Sequence, residues 1–143
     1  MSVGNVMTAI ATQLVANQGA GSFYESVGGR IYHLFGPEQM TLPACVYGIA
    51  DGASPDRDFA GNDFERYILQ FDIWVDYAIT GGTPDVTAMD IEGKLRRQLD
   101  RMIVAATSYD RITCLCISRG VPSKDGDAIR VSTQYEVKGT RTS

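Results

Sequence analysis

Arg66-Tyr67-Ile68-Leu69-Gln70-Phe71-Asp72-Ile73-Trp74-Val75-Asp76-Tyr77 sets Tyr67, Leu69, Phe71, Ile73, Val75 and Tyr77 against Arg66, Gln70, Asp72 and Asp76 at a period of two. Successive side chains of an extended chain point to opposite faces, so this run predicts a strand with one face in the core. Ile68 and Trp74 interrupt the polar set, which implies that part of the second face is covered. A half-buried strand of this length needs neighbours, and the flanking segments supply them.

Upstream, Arg30 to Leu34 and Ala44 to Ile49 read as short strands, separated by a turn that Pro37 and Pro43 bracket. Gly19, Gly21, Gly28 and Gly29 punctuate the connection before them. Val6, Met7, Ile10 and Leu14 recur at helical spacing, which predicts a first amphipathic helix ending near residues 17–19. Downstream, Thr83-Pro84-Asp85 is a helix start, with a hydroxyl at the N-cap and proline in the first turn. That helix is expected to run to about Ala105, burying Ala88, Ile91, Leu95, Leu99, Met102 and Ile103 and exposing Asp90, Lys94, Arg97, Gln98 and Arg101. Two last strands, 111–119 and 128–138, flank a connection with the turn pair Asp125-Gly126. The expected fold class is α+β: a two-layer sandwich with a mainly antiparallel sheet of about five strands and two helices packed on one face.

Between the second and third strands, residues 51–63 hold Gly52, Pro55, Gly61 and the aspartates Asp51, Asp56, Asp58 and Asp63. This composition predicts a long loop. The aspartates lack the alternation of a calcium loop, so a solvated acidic segment is the simpler reading.

The chain has 143 residues, one domain by length, and at this size folding removes roughly 70% of the unfolded chain's accessible surface. No segment approaches the roughly 18 consecutive apolar residues that span a bilayer, and the N-terminus lacks the pattern of a secretory signal. A net charge of −4 argues against a conventional duplex-binding surface, because nucleic-acid affinity comes largely from Lys and Arg neutralising phosphates. Cys45, Cys114 and Cys116 have no CxxC spacing and read as small reduced hydrophobes. His33 is the only histidine, so a Ser-His-Asp or Cys-His arrangement would have to be built around it. Gly81-Gly82-Thr83 precedes a helix but lacks the lysine and glycine spacing of a phosphate loop. No catalytic residue, metal ligand or cofactor is expected.

Gly28-Gly29-Arg30-Ile31-Tyr32, then Leu42-Pro43-Ala44-Cys45-Val46-Tyr47, then the alternating run form an ordered framework. It resembles that of the small tail-terminator and tail-completion proteins, which join head and tail in long-tailed bacteriophages and gene-transfer particles, over most of the chain from near Ile10 to near Val137. The positions that match are Gly28, Gly29, Arg30, Tyr32 and Pro43. The resemblance implies a single such domain over residues 1–143 and a structural virion protein, not an enzyme, assembled in the host cytoplasm and located at the tail end nearest the head. It implies a hexameric ring of identical copies that caps the tail tube, ends its polymerisation and helps join tail to head. Its partners would be the tube protein and the head connector or neck proteins, with DNA passing through the lumen unbound and no membrane involved. A neck or stopper protein, or a small ligand-binding domain or enzyme, are the competing classes. Within such a ring, the basic set Lys94, Arg97 and Arg101 and the acidic set Asp56, Asp58 and Asp63 are the candidate subunit interface.

Overall fold

The computed structural model describes residues 3–36, 40–57, 63–77, 83–106 and 109–141; for 3–5, 51–57, 63–65, 104–106, 109–111, 125 and 140–141 it describes the backbone alone. The alternating run is β3 (Asp63–Asp76). It pairs antiparallel with β2 (Ala44–Arg57) on one side and with β7 (Ala128–Arg141) on the other. β1 (Ile31–His33) adds to β2 in parallel, while β5 (Tyr109–Arg119) and then β4 (Ile103–Ala106) extend the far side, giving the order β1-β2-β3-β7-β5-β4. β6 (Ser123–Asp125) forms a short hairpin with the start of β7. Gly126, with φ +61, supplies the left-handed residue that this tight turn requires. The sheet is thus seven-stranded: the five expected strands are present, joined by β4 and β6, and β1 is the one parallel neighbour.

Helices α1 (Val3–Leu14) and α3 (Pro84–Leu99) lie on one face, with α2 (Phe23–Ser26) a single turn between α1 and the framework. Tyr67, Leu69, Phe71, Ile73 and Val75 are buried, and the inward residues of β7 (Val131, Tyr135, Val137) and β5 (Ile112, Cys114) continue the same face. Val6, Ile10 and Leu14 of α1 and Ala88, Ile91, Leu95 and Leu99 of α3 close the core from above. Tyr47 stacks on Phe71 at 5.1 Å, and Phe71 meets Tyr135 edge-on at 5.5 Å. Among the described residues, no helix is long and apolar enough to cross a membrane.

Leu95 is fully buried at the centre of the α3 stripe. Its replacement by alanine is expected to cost roughly 2–5 kcal/mol, the range for large-to-small core changes. A thermal melt of Leu95→Ala that superimposes on the parent would put this side chain outside the core.

Three expectations need correction. Residues 51–57 are strand and not loop: they pair with 63–68 of β3, with register shifts between Ile49 and Asp51 and between Asp51 and Ser54. Among the described residues β1 reaches β2 only at residues 45–47 and no other strand pairs with that edge beyond Tyr47, so proline and extra residues are tolerated there. The remaining loop residues, 58–62, lie outside the described residues.

The second long helix stops at Leu99 instead of Ala105. Asp100 is extended and Arg101 takes φ +64; the Arg101 N–H donates to Cys114 O at 2.7 Å, and the Asp100 carboxylate accepts from the Cys116 N–H at 2.8 Å. These bonds to β5 turn the chain into β4. Met102 stays buried, but Ile103 is strand and 58% exposed, not a core residue. Thr83 does occupy the N-cap, yet its hydroxyl makes no capping bond; its carbonyl accepts from the Thr87 N–H, and Pro84 and Asp85 fill the first turn.

Candidate assembly site

The framework positions converge at one corner of the sheet. Ser22 caps α2, its hydroxyl accepting from the Glu25 N–H at 3.2 Å, while the Gly21 N–H donates to the Glu25 carboxylate at 3.3 Å. Ser22-x-x-Glu25 is a sequence signal for a helix start that the glycine-rich reading passed over, although here the Glu25 carboxylate reaches the Gly21 N–H and the Ser22 N–H donates to Gly19 O. Gly28 and Gly29 then reverse the chain at φ +59 and +72. A Cβ on Gly28 would stand 2.6 Å from the Arg30 guanidinium, and one on Gly29 would stand 2.9 Å from the Tyr24 ring. Arg30 joins the two halves: its Nε donates to Pro43 O at 2.9 Å, and its carbonyl accepts from the Cys45 N–H at 2.9 Å. Tyr32 lies opposite Val46 in the parallel pair. Gly28, Gly29, Arg30 and Pro43 thus lie where the chain enters the β1–β2 pair, and Tyr32 lies within it.

The sheet face opposite the helices carries a cross-strand polar network beside the apolar side chains Ile68, Trp74 and Leu115. Gln134 Nε2 donates to Gln70 Oε1 at 3.2 Å, and Gln70 Nε2 donates to Asp72 Oδ1 at 3.1 Å. The Ser132 hydroxyl donates to the same aspartate. Arg66 and Lys138 flank Glu136 at 3.8 and 3.4 Å, and Arg130 lies over Trp74 at 5.4 Å. Satisfied cross-strand pairs of mixed charge suit a wetted surface.

One ion pair sits inside the helix layer. Glu92 projects from α3 and is fully buried. Arg119, at the end of β5, grips it from Nε at 3.1 and 3.2 Å and from Nη2 at 2.6 Å, with Arg96 Nε at 3.8 Å beside it. The hydrogen bond to Glu92, then its charge, raises the Arg119 pKa. Gly120 follows Arg119 where a Cβ would meet Ser132 O at 2.2 Å, so the chain leaves this strand flush against β7. A lone Glu at position 92 of an amphipathic helix gave no sequence sign of this pairing, because its partner is 27 residues away.

Two of the three thiols are sealed in the core. Burial, reinforced by Asp72, pushes the Cys45 thiol far up; burial, then Asp100 and Cys116, pushes Cys114 up to about 12. Thiols so placed stay protonated and are poor nucleophiles and poor metal ligands. His33 lies against Tyr47 at 5.1 Å. No group of metal-ligating side chains is present among the described residues.

The basic stripe is broken. Lys94 and Arg97 remain on α3, where Lys94 pairs with Asp90 at 3.5 Å, but Arg101 lies beyond the helix end, exposed on the turn into β4. Lys94 and Arg97 instead share a recess of about 190 Å³ with Asn17, Gly21, Ser22, Phe23 and Gln98. Gln98 closes one side by donating to Gln13 O. Of the acidic set, Asp58 is outside the described residues; Asp56 and Asp63 are placed by backbone only, opposite Phe64 and Arg57 at the far end of the β2–β3 pair.

No protein-family profile and no curated protein sequence matches the chain. Among solved structures, it is similar to a chain in the virion of a native gene transfer agent particle, with a TM-score of 0.75 at 14% identity over 96% of both chains. A second solved chain covers all of this one, 98% of its own length, with a TM-score of 0.68 at 12% identity. At such identities the likeness is one of fold, and it extends over the whole length of the chain.

Proposed function

We propose that this chain is a structural virion protein that forms a ring at the end of a tail tube, ends the tube's polymerisation and helps join tail to head. The observation that carries the reading is the end-to-end likeness in fold to a chain of a gene transfer agent virion, combined with the Gly28-Gly29-Arg30 and Pro43 framework. On this reading the chain is a structural protein and not an enzyme, which is what the fold likeness to a virion chain supports.

The mechanism is physical. A heterologous contact repeated around a rotation axis closes into a ring, hexameric on the family resemblance. One face of that ring matches the last layer of the tube, and the other offers no further tube-binding edge, so occupying the growing end stops growth. An acidic protein suits a passage for DNA, because like charge keeps the polymer from adhering.

Mass measurement in solution followed by electron microscopy of the particle tests this. A ring of copies located where the tail meets the head is the expected result. A density at the head connector would make it a neck or stopper protein, and a compact monomer absent from particles would remove the structural role.

A further inference from the structure

We propose that the two outermost strands of the sheet join neighbouring copies of this protein, β4 of one copy pairing in parallel with β1 of the next so that Ile103 lies level with Tyr32. This rests on the ring reading above and names where its copies meet. β1 and β4 end the sheet. Both are short, and neither Ile31-Tyr32-His33 nor Ile103-Val104-Ala105-Ala106 contains a proline, a lysine, an arginine or a carboxylate to block a further strand. The other strand edge without a partner among the described residues, β2 beyond Tyr47, is guarded: it carries Asp51, Pro55 and Asp56, and its register is broken twice.

The backbone groups left over on the two edges fit one another. The Cys114 N–H donates to Met102 O, so the next hydrogen-bonded pair of that ladder is Val104 with Ile112, and Ile103, level with Thr113, turns its N–H and C=O away from β5. In β1, Arg30 O accepts from the Cys45 N–H and the Leu34 N–H donates to Tyr47 O, so Tyr32 faces β2 while Ile31 and His33 face outward. Two of their four outward groups are already used: the Ile31 N–H donates to Gly29 O at 3.0 Å, and His33 O accepts from the Phe35 N–H at 2.9 Å. The Ile31 C=O and the His33 N–H remain without a partner among the described residues. A parallel neighbour needs this combination, because a residue donates to the carbonyl one position before its counterpart and accepts from the N–H one position after it. Ile103 thus donates to Ile31 O and accepts from the His33 N–H. An antiparallel neighbour needs both groups of a single residue, and neither Ile31 nor His33 has both free.

Faces and directions agree with this pairing. Tyr32 is level with Val46 and Asp72, and Ile103 with Thr113, Lys138 and Arg66, so both side chains stand on the face opposite the helices, where the 58% exposed Ile103 comes to lie beside Tyr32. β1 is parallel to β2, and the four antiparallel steps from β2 through β3, β7 and β5 to β4 leave β4 running the same way as β1. Rotation about an axis along the strands preserves direction, so head-to-tail copies bring β4 beside β1 in parallel, and the contact closes into a ring.

The test is disulfide trapping in the full chain carrying Tyr32→Cys and Ile103→Cys together, with each single change and the parent, whose own thiols are Cys45, Cys114 and Cys116, as controls. Level residues of adjacent strands stand about 4.8 Å apart, within reach of a disulfide. Oxidation of the assembled double variant is expected to give a ladder of linked copies on a non-reducing gel, and the controls are expected to stay unlinked. Ile103→Pro removes the outward N–H and no bond to β5; it is expected to melt close to the parent and to weaken assembly about tenfold by sedimentation velocity. Either an assembled double variant that yields no ladder or parent-like assembly of Ile103→Pro would overturn this contact while leaving the ring intact. A linked dimer from Ile103→Cys alone would assign β4 to a two-fold contact and overturn it as well. A parent that stays monomeric and is absent from tail ends would remove the ring reading, and this contact with it.

Discussion

Arg119→Ala should lower the stability of the folded chain by roughly 2–3 kcal/mol. Removing one partner of a buried ion pair typically costs about 3–5 kcal/mol, because the other charge is left in the interior without compensation. Here Glu92 is fully buried but Arg119 is 44% exposed, so solvent already screens the pair and the smaller figure applies. Arg96 stands 3.8 Å from the same carboxylate and offsets part of the loss. At about 3–4 °C per kcal/mol for a chain of this size, the melting temperature should fall by about 6–12 °C. Glu92→Met combined with Arg119→Met should recover most of this, since apolar replacement of a whole buried pair is often neutral or stabilising. A calorimetric scan of Arg119→Ala matching the parent would show that Arg96 or solvent already satisfies Glu92, and that β5 is not pinned to α3 through this pair.

That pair marks the boundary of what a sequence reading reaches. The period-two run of β3 and the α3 positions Ala88, Ile91, Leu95 and Leu99 were legible because a buried face repeats locally, and each residue of the stripe reports on the others. The end of α3 was not legible. Asp100-Arg101-Met102-Ile103 holds no glycine or proline, and Met102 and Ile103 keep the helical spacing; the stop is imposed by bonds from Arg101 and Asp100 to β5, residues distant in sequence. Residues 51–57 were misread for the opposite reason. Their glycine, proline and aspartates carry the composition of a loop, yet the segment has β3 on one side and, among the described residues, no strand on its other edge, where such residues cost little. Of the candidate interface, the charges of Lys94 and Arg97 were legible and the recess that joins them was not, since Asn17, Gly21 and Ser22 reach it only through the packing of α1 and α2 on α3.

Particles made without this protein should carry tubes of uncontrolled length, or tails not joined to heads, while the tube itself keeps its normal subunit packing. The argument runs from mechanism to phenotype. A polymer whose ends are equivalent to its middle has no intrinsic length, so the end must be defined by a component that binds the last layer and presents nothing for the next. On the proposed reading this chain is that component, and its removal leaves the growing end competent. Loss of a protein that merely stabilises the tube would give short or broken tails instead, and loss of an enzyme of tail maturation would leave tails of correct length with altered covalent chemistry. Negative-stain length distributions of tails from the deletion therefore separate the three. The expected result is a broad distribution extending well beyond the parent length, together with heads lacking tails. Complementation by the Arg119→Ala chain at a temperature below its melt should restore the narrow distribution, because that substitution weakens the fold without touching the outer edges of β1 and β4. Tails of normal length on full heads in the deletion would defeat the terminator reading, whatever the fate of the contact between β4 and β1.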